Sequence, residues 1–212
     1  MPTASKPIEH YTLADMERVL HEHEPYTDPS DEAKKNAAVA MVLRERDRGL
    51  ETLFIQRAEH PNDPWSGHMA FPGGRQDPID HTLEHAARRE TMEEVALPLD
   101  EAHCIGRLHD VYGGRLKHHE LAVSPFVYRT NFDGTLSHNY EVADSVWVPL
   151  SFLGDPENIA PYKFPLDPLQ RDFPSFHYEH YIIWGLTYRI IASFMALFGI
   201  ILPNEPFPTD VE

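Results

Sequence analysis

Glu90, Glu93 and Glu94 stand at i, i+3 and i+4. On an α-helix this spacing sends all three carboxylates from one face. Like charges so placed repel, and each pair costs an isolated helix a few tenths of a kcal/mol, about 0.2–0.5. A hard divalent cation removes that repulsion. Mg²⁺ prefers oxygen ligands and keeps several waters, which leaves coordination positions for phosphate oxygens. Upstream stands Phe71-Pro72-Gly73-Gly74, then fourteen residues, then Arg89-Glu90-Thr91-Met92-Glu93-Glu94-Val95-Ala96-Leu97. The Gly73-Gly74 turn permits close backbone approach to a metal or phosphate. Arg89, four residues before Glu93, is placed to brace the acidic face by an ion pair. A bare Glu-x-x-Glu-Glu run reads equally as a solvated helix face. The glycine turn and the Arg-Glu lead-in turn the reading toward a metal centre.

These elements resemble the Nudix box: a Gly, a spacer, then Arg-Glu-x-x-Glu-Glu-x-Gly and an aliphatic residue. Arg89, Glu90, Glu93, Glu94 and Leu97 fit it. The final Gly is Ala96, which a helix end accommodates readily only with negative φ. The spacer from Gly74 to Arg89 is one residue longer than the commonest form, and its mid-spacer Glu is replaced by Asp80 or His81. The longer form is similar to the branch containing coenzyme A pyrophosphatases. Leu53-Phe54-Ile55-Gln56-Arg57-Ala58 leading to Gly67-His68-Met69-Ala70-Phe71-Pro72-Gly73-Gly74 resembles that branch's upstream signature, and the signature's further basic residue is absent near Asn62. Asn139-Tyr140-Glu141-Val142-Ala143, Trp147-Val148-Pro149-Leu150 and Ile183-Trp184-Gly185-Leu186-Thr187 match later segments of the same branch.

The resemblance implies an α+β Nudix fold, a mixed β-sheet sandwiched between α-helices. It implies hydrolysis of a nucleoside diphosphate linked to another moiety, with Mg²⁺ as cofactor and Mn²⁺ as a substitute. Coenzyme A or a derivative is the first substrate expected, ADP-ribose or another nucleotide pyrophosphate the second. A Nudix fold used only for ligand binding is the rival of another class, and it would be expected to lose metal carboxylates that are all present here. Glu90, Glu94, Glu93 and the Gly74 carbonyl are the metal candidates. Glu93 or Glu141 is the general base, with Glu90 and Arg89 completing the catalytic set. Arg57, Arg75, Phe71 and Gly73 are the substrate-binding candidates, the two arginines for phosphate by their fork of donors.

The elements that must position these groups follow from pattern. A short helix is expected over residues 13–23 within a polar, acidic extension, residues 1–35. A buried strand over 37–43 and a second over 51–57 flank a turn at Asp47-Arg48-Gly49, forming a hairpin. Residues 69–71 read as a short strand stopped by Pro72-Gly73-Gly74. The clearest helix covers residues 80–95, capped by Asp80 or Thr82. Further strands are expected over 104–111, 121–128 and 145–149, with turns at Gly113-Gly114 and Asp133-Gly134. Residues 154–176 carry Pro156, Pro161, Pro165, Pro168 and Pro174 and read as a long loop. A helix from Ile182 closes the Nudix domain, residues 36–202, and a tail follows over 203–212.

Composition bounds the rest. The 212 residues suffice for one domain with a substantial core, and the 42% hydrophobic and 25% charged usage is that of a globular chain. A net charge of −16 disfavours nucleic acid as partner. A polyanionic substrate then needs a local basic pocket or a bound cation. The sole cysteine, Cys104, excludes an intrachain disulfide, fits a cytoplasmic setting, and reads as a small core residue. Residues 182–202 are long and apolar enough to raise a membrane span, but Arg189 falls inside them, so a buried helix is the better reading. His81 and His85, four apart on the helix, read as surface imidazoles, and His118-His119 as loop residues within reach of substrate. Phe194, Leu197 and Phe198 read as core. A homodimer is left open.

Overall fold

The computed structural model describes residues 6–26, 35–61, 65–99, 103–113, 121–204 and 206. Strand β1 (Lys35–Arg46) is the spine of the molecule. It runs antiparallel to β2 (Gly49–Arg57), forming the expected hairpin, and parallel to β7 (Leu121–Arg129). Strand β3 (Met69–Ala70) and β8 (Val142–Pro149) both pair with β2. Strands β5 (His103–Arg107) and β6 (Val111–Gly113) both pair with β7. The mixed pairing agrees with the α+β sandwich read from the sequence.

Strand β1 is buried on both faces, which is why it reads as a continuous apolar run. Its alternate residues feed two cores. Ala38, Ala40 and Val42 join Leu53 and Ile55 of β2 with Ala86, Ala87 and Val95 of α2 (Leu83–Val95). Ala37, Met41 and Leu43 face the other way, toward Met16 and Leu20 of α1 (Leu13–Glu22) and Tyr188, Ile191 and Phe194 of α4 (Gly185–Leu197). Alanines on both partners let α2 approach the sheet closely, and α2 carries the carboxylates. Helix α1 starts in a capping box between Thr12 and Asp15. Its buried Met16 and Leu20 tie the first residues into the larger core.

Several segments differ from their sequence expectations: the strand expected over 104–111 is two strands, β5 and β6, and the helix expected over 80–95 begins at Leu83. Gly73–Arg75 is not only a stop signal: it forms β4, antiparallel to β1 through Ala38↔Gly74. The proline-rich stretch 154–176 is not a loop throughout. After the short helix α3 (Leu150–Leu153) it yields a 3-10 turn (Pro156–Asn158), β9 (Ile159–Lys163) and the start of β10 (Asp172–Tyr178). These strands and β11 (Tyr181–Trp184) make a separate three-stranded sheet. Pro161 and Pro174 face each other in its register, and Pro174 lies outside the stretch paired to β11, so its missing N–H interrupts no ladder there. The last helix therefore begins at Gly185, not Ile182, and has 13 residues, about 20 Å of helix. No helix among the described residues is long and apolar enough to cross a membrane. Cys104 is exposed on β5, not a core residue. Phe194 and Phe198 are buried, with Leu197 packed against the same core. Asn62, His118, His119, Gly114 and residues 1–5 and 207–212 lie outside the described residues.

Helix α2 ends with Ala96 at φ 53°, ψ 34°, the left-handed conformation. The negative φ expected for a non-glycine residue is not what this helix end adopts. An L-residue there carries about 1–2 kcal/mol of strain, partly offset by the smaller chain entropy that Ala loses on folding. Ala96→Gly is expected to raise the unfolding free energy by about 1 kcal/mol in urea denaturation. A loss of stability would contradict the assigned backbone.

Candidate active site

The site lies where the start of β1, the three residues of β4 and the middle of α2 meet. Two glycines permit the contact. At Gly73, with φ 149°, a Cβ would fall 2.3 Å from the Ala38 carbonyl oxygen, so only glycine lets β4 lie against β1. At Gly74 a Cβ would fall 2.6 Å from the Glu90 carboxyl group, which packs directly over its Cα. The Gly73 N–H donates to Glu94 Oε2 at 2.8 Å. Thus the turn meets carboxylates of α2 with both its backbone and its lack of side chains.

Glu94 is only 2% exposed. Burial pushes its carboxyl up to about 8, opposed by the Gly73 N–H, reinforced by the Glu90 charge, and moderated by Arg57. Glu90 is also raised, first by burial, with Arg89 pulling the other way and Glu93 and Glu141 adding to the rise. Glu141 sits in the loop before β8, exposed, with its N–H donating to Asn139 Oδ1 and its carbonyl accepting from the Ala58 N–H at 2.8 Å. Its charge is felt at both Glu90 and Glu94. The structure therefore brings Glu90, Glu94, Gly73, Gly74, Arg57 and Glu141 into one neighbourhood.

Glu93 is placed differently. It is exposed and turned toward Arg89, whose Nη1 donates to its Oε2 at 3.2 Å. Arg89 Nη2 also pairs with Glu90 at 2.9 Å. No three metal-binding side chains among the described residues converge on one point in this arrangement. The expected three-carboxylate set is present as a buried Glu94 beside a half-buried Glu90, with Glu93 at the solvent edge. A buried carboxylate with a single backbone donor and a second carboxylate beside it is an incomplete electrostatic set. A hard cation with oxygen preference fits that donor set.

Arg89 is itself held by a residue whose role the sequence did not disclose. The Asp80 side chain is fully buried and accepts from Arg89 Nε at 3.0 Å and Nη2 at 2.9 Å. The Arg75 carbonyl accepts a further bond from Nη2. Asp80 is not the helix cap: Thr82 Oγ1 accepts from the His85 N–H, while Asp80 Oδ2 accepts from the Asp77 N–H. The Arg89 fork holds Asp80 below the usual carboxylate range. Of the two candidates for the mid-spacer acid, Asp80 takes the place. A buried acid nine residues before Arg89 was the available signal, but its partner could not be read from spacing.

Two substrate-binding candidates are structural instead. Phe71 is 2% exposed and stacks on Phe54 with ring centroids 4.7 Å apart, so its ring faces the core. Gly73 spends its N–H on Glu94. The Arg75 side chain is exposed at the end of β4. His81 and His85 stack on each other with ring centroids 5.9 Å apart, His85 lying 3.7 Å from Asp80, away from the carboxylate pair.

Two measurements test this geometry. In EDTA, wild-type Glu94 favours the folded state while protonated, below about pH 4.5, and that contribution is lost as pH rises through about 8. The melting temperature of Glu94→Gln minus that of wild type should therefore rise across this window; a flat difference would show that the carboxyl is not buried as described. Asp80→Asn should cost about 2 kcal/mol in urea denaturation, because Arg89 loses a charged acceptor. An unchanged unfolding free energy would remove Asp80 from the network.

Comparison with known proteins matches this architecture. The NUDIX domain family matches residues 34–170. A Nudix hydrolase of Yersinia pestis, NudL, is 31% identical over 144 residues, which cover 66% of this chain and 68% of that protein. An uncharacterised Schizosaccharomyces pombe protein, C14C4.10c, is 36% identical over 110 residues, covering 50% of this chain. This chain spans about a third of that relative's length, 33%. A MutT/nudix family protein from Enterococcus faecalis shares the fold, with TM-score 0.50, 16% identity, and coverage of 89% of this chain and 70% of that one. With more than half of its length matched by the domain, and the Gly-Gly turn and α2 carboxylates inside the match, the chain belongs to the Nudix family.

Proposed function

We propose that the chain is a Mg²⁺-dependent pyrophosphohydrolase that cleaves a nucleoside diphosphate linked to another group. We propose coenzyme A or a derivative as substrate, yielding 3′,5′-ADP and 4′-phosphopantetheine. The observation that carries the hydrolase reading is the buried Glu94 carboxylate beside Glu90, over the Gly73-Gly74 turn. The coenzyme A assignment rests on the sequence resemblance of the segment 53–58, mostly in β2, and of the run from Gly67 to Gly74, which holds β3 and the start of β4.

Glu90, Glu94, Glu93 and the Gly74 carbonyl are the groups that would hold Mg²⁺, with Mn²⁺ as a substitute. The ion supplies neutralisation of the diphosphate charge and acidification of a bound water. Arg57, at the end of β2 and electrostatically coupled to Glu94, is placed for the phosphates. Arg75, exposed at the end of β4, is the second phosphate candidate. The water oxygen bonds to one phosphorus as the bridging P–O bond breaks. Its proton passes to a carboxylate, for which Glu93 is our first assignment and Glu141 the second, both being exposed. Arg89 and Asp80 hold α2's acidic face and act as positioning residues.

The test is a set of pyrophosphates incubated with Mg²⁺ and the full chain, with products identified by mass. Coenzyme A giving 3′,5′-ADP and 4′-phosphopantetheine supports the full reading. Turnover of ADP-ribose or a dinucleoside polyphosphate without coenzyme A would overturn the substrate and keep the reaction. No turnover of any compound would overturn the hydrolase reading in favour of a binding module. Glu93→Gln should lower kcat by about 10²–10⁴-fold if it is the base. A loss of that size in Glu141→Gln alone would transfer the role.

A further inference from the structure

Five aromatic rings meet outside the two hydrophobic cores. Trp184 stands at their centre, its ring centroid 4.8 Å from Phe164, 4.9 Å from Tyr162, 5.1 Å from His68 and 5.7 Å from Phe173. None of the five belongs to or packs on either core cluster, and all are half-buried. Aromatic side chains ordinarily bury most of a large apolar area, so a ring cluster that stays partly exposed outside both cores is unusual as pure scaffolding. Leu166 and Leu169, in the connector between β9 and β10, are 62% and 69% exposed beside it in sequence.

The cluster is held in place from below. Asp167 accepts from the Arg171 N–H, Nε and Nη2, all within 3.0 Å, and the Arg171 guanidinium lies 5.1 Å from the Phe173 ring centroid. This closes the base of the connector that carries Phe164. A surface fixed before binding loses little entropy when it takes a ligand.

The cluster is joined through the backbone of His68 to the end of β2 that carries Arg57. The His68 carbonyl accepts from the Arg57 N–H at 3.0 Å, and the next residue's carbonyl, that of Met69, accepts from Thr187 Oγ1 at 2.9 Å on α4. His68 and Gly73 are five positions apart in the chain, at most about 18 Å of extended backbone. A nucleotide joined through a diphosphate can bridge such a span. Stacking on aromatic rings is open to any base, because every base has a π face.

We propose that the Trp184-centred cluster is the subsite for the flat heterocycle of the substrate: the nucleobase stacks there while the diphosphate reaches Glu90 and Glu94 past Arg57. This deepens the hydrolase reading and rests on it for the diphosphate end only. A flat heterocycle is chosen over an aliphatic occupant because the partly exposed residues gathered here are aromatic, and aromatic rings favour stacked partners.

The experiment titrates adenosine 5′-monophosphate into the full chain in EDTA, so that binding is read without metal or turnover. Phe164→Leu and Tyr162→Leu keep apolar bulk and remove a π face; Phe164→Tyr keeps the face. Wild type and Phe164→Tyr should bind, and each leucine variant should bind about five-fold or more weakly with unchanged circular dichroism. With Mg²⁺, KM for the nucleotide pyrophosphate should rise by the same factor while kcat holds. No binding to wild type, or equal affinity in both leucine variants, would overturn the subsite. Loss of a dimer in the leucine variants at equal affinity for the nucleotide would assign the rings to a contact between copies and overturn it as well. Weakened binding in a chain that hydrolyses nothing would sink the hydrolase reading and leave the subsite standing.

Discussion

A carboxylate buried against a glycine amide is the constraint around which this molecule is arranged. Glu94 reaches the floor of the site only because α2 lies close to the sheet, and the helix lies close because Ala86 and Ala87 meet Ala38 and Ala40. The Gly73 amide is available to it only because β4 turns back onto β1 with no side chain in the way. Each of these features is a small residue chosen for approach, and together they trade ordinary core volume for a polar contact. A buried acid with one donor is costly in isolation, since the charged form is poorly solvated. The cost is tolerable if the acid is neutral or if a cation sits beside it.

The repulsion among the remaining acids is settled locally by Arg89. Its guanidinium is pinned to the buried Asp80 and then shared with Glu90 and Glu93. This division leaves Glu90 and Glu94 as the inner pair and Glu93 at the solvent edge, free to exchange its arginine contact for another partner. Arg57 and Glu141 arrive from the opposite side, off β2 and the loop before β8. The site is therefore assembled from four separate stretches of chain, which only the sheet topology brings together.

The acidic face of α2 was legible because helical periodicity converts spacing directly into geometry. The β1–β2 hairpin was legible for the same kind of reason, as two apolar runs around Asp47-Arg48-Gly49. Strand β4 was hidden because Pro72-Gly73-Gly74 reads as punctuation, whereas the glycines serve contact with β1 and Glu90. The second sheet was hidden because its prolines, Pro161 and Pro174, read as strand breakers until their pairing across the register is known. Phe71 looked like part of a binding motif and proved to be core, since motif membership carries no information about which way a ring points. Asp80 was visible as an acid at a helix start, but its partner, Arg89, is set by how the spacer loop folds back. Ala96 accepts a left-handed backbone that its residue type disfavours, a tertiary demand that overrides local preference.

The proposed role of the buried Glu94 carboxylate is to hold a divalent cation beside Glu90. The most direct measurement is titration calorimetry of Mg²⁺ into the full chain at a pH below about 8, in buffers of different ionisation enthalpy, for wild type and Glu94→Gln. The account predicts uptake by the wild type with release of protons, and loss of both in the variant. Equal Mg²⁺ uptake by the two proteins, or uptake without proton release, would contradict it.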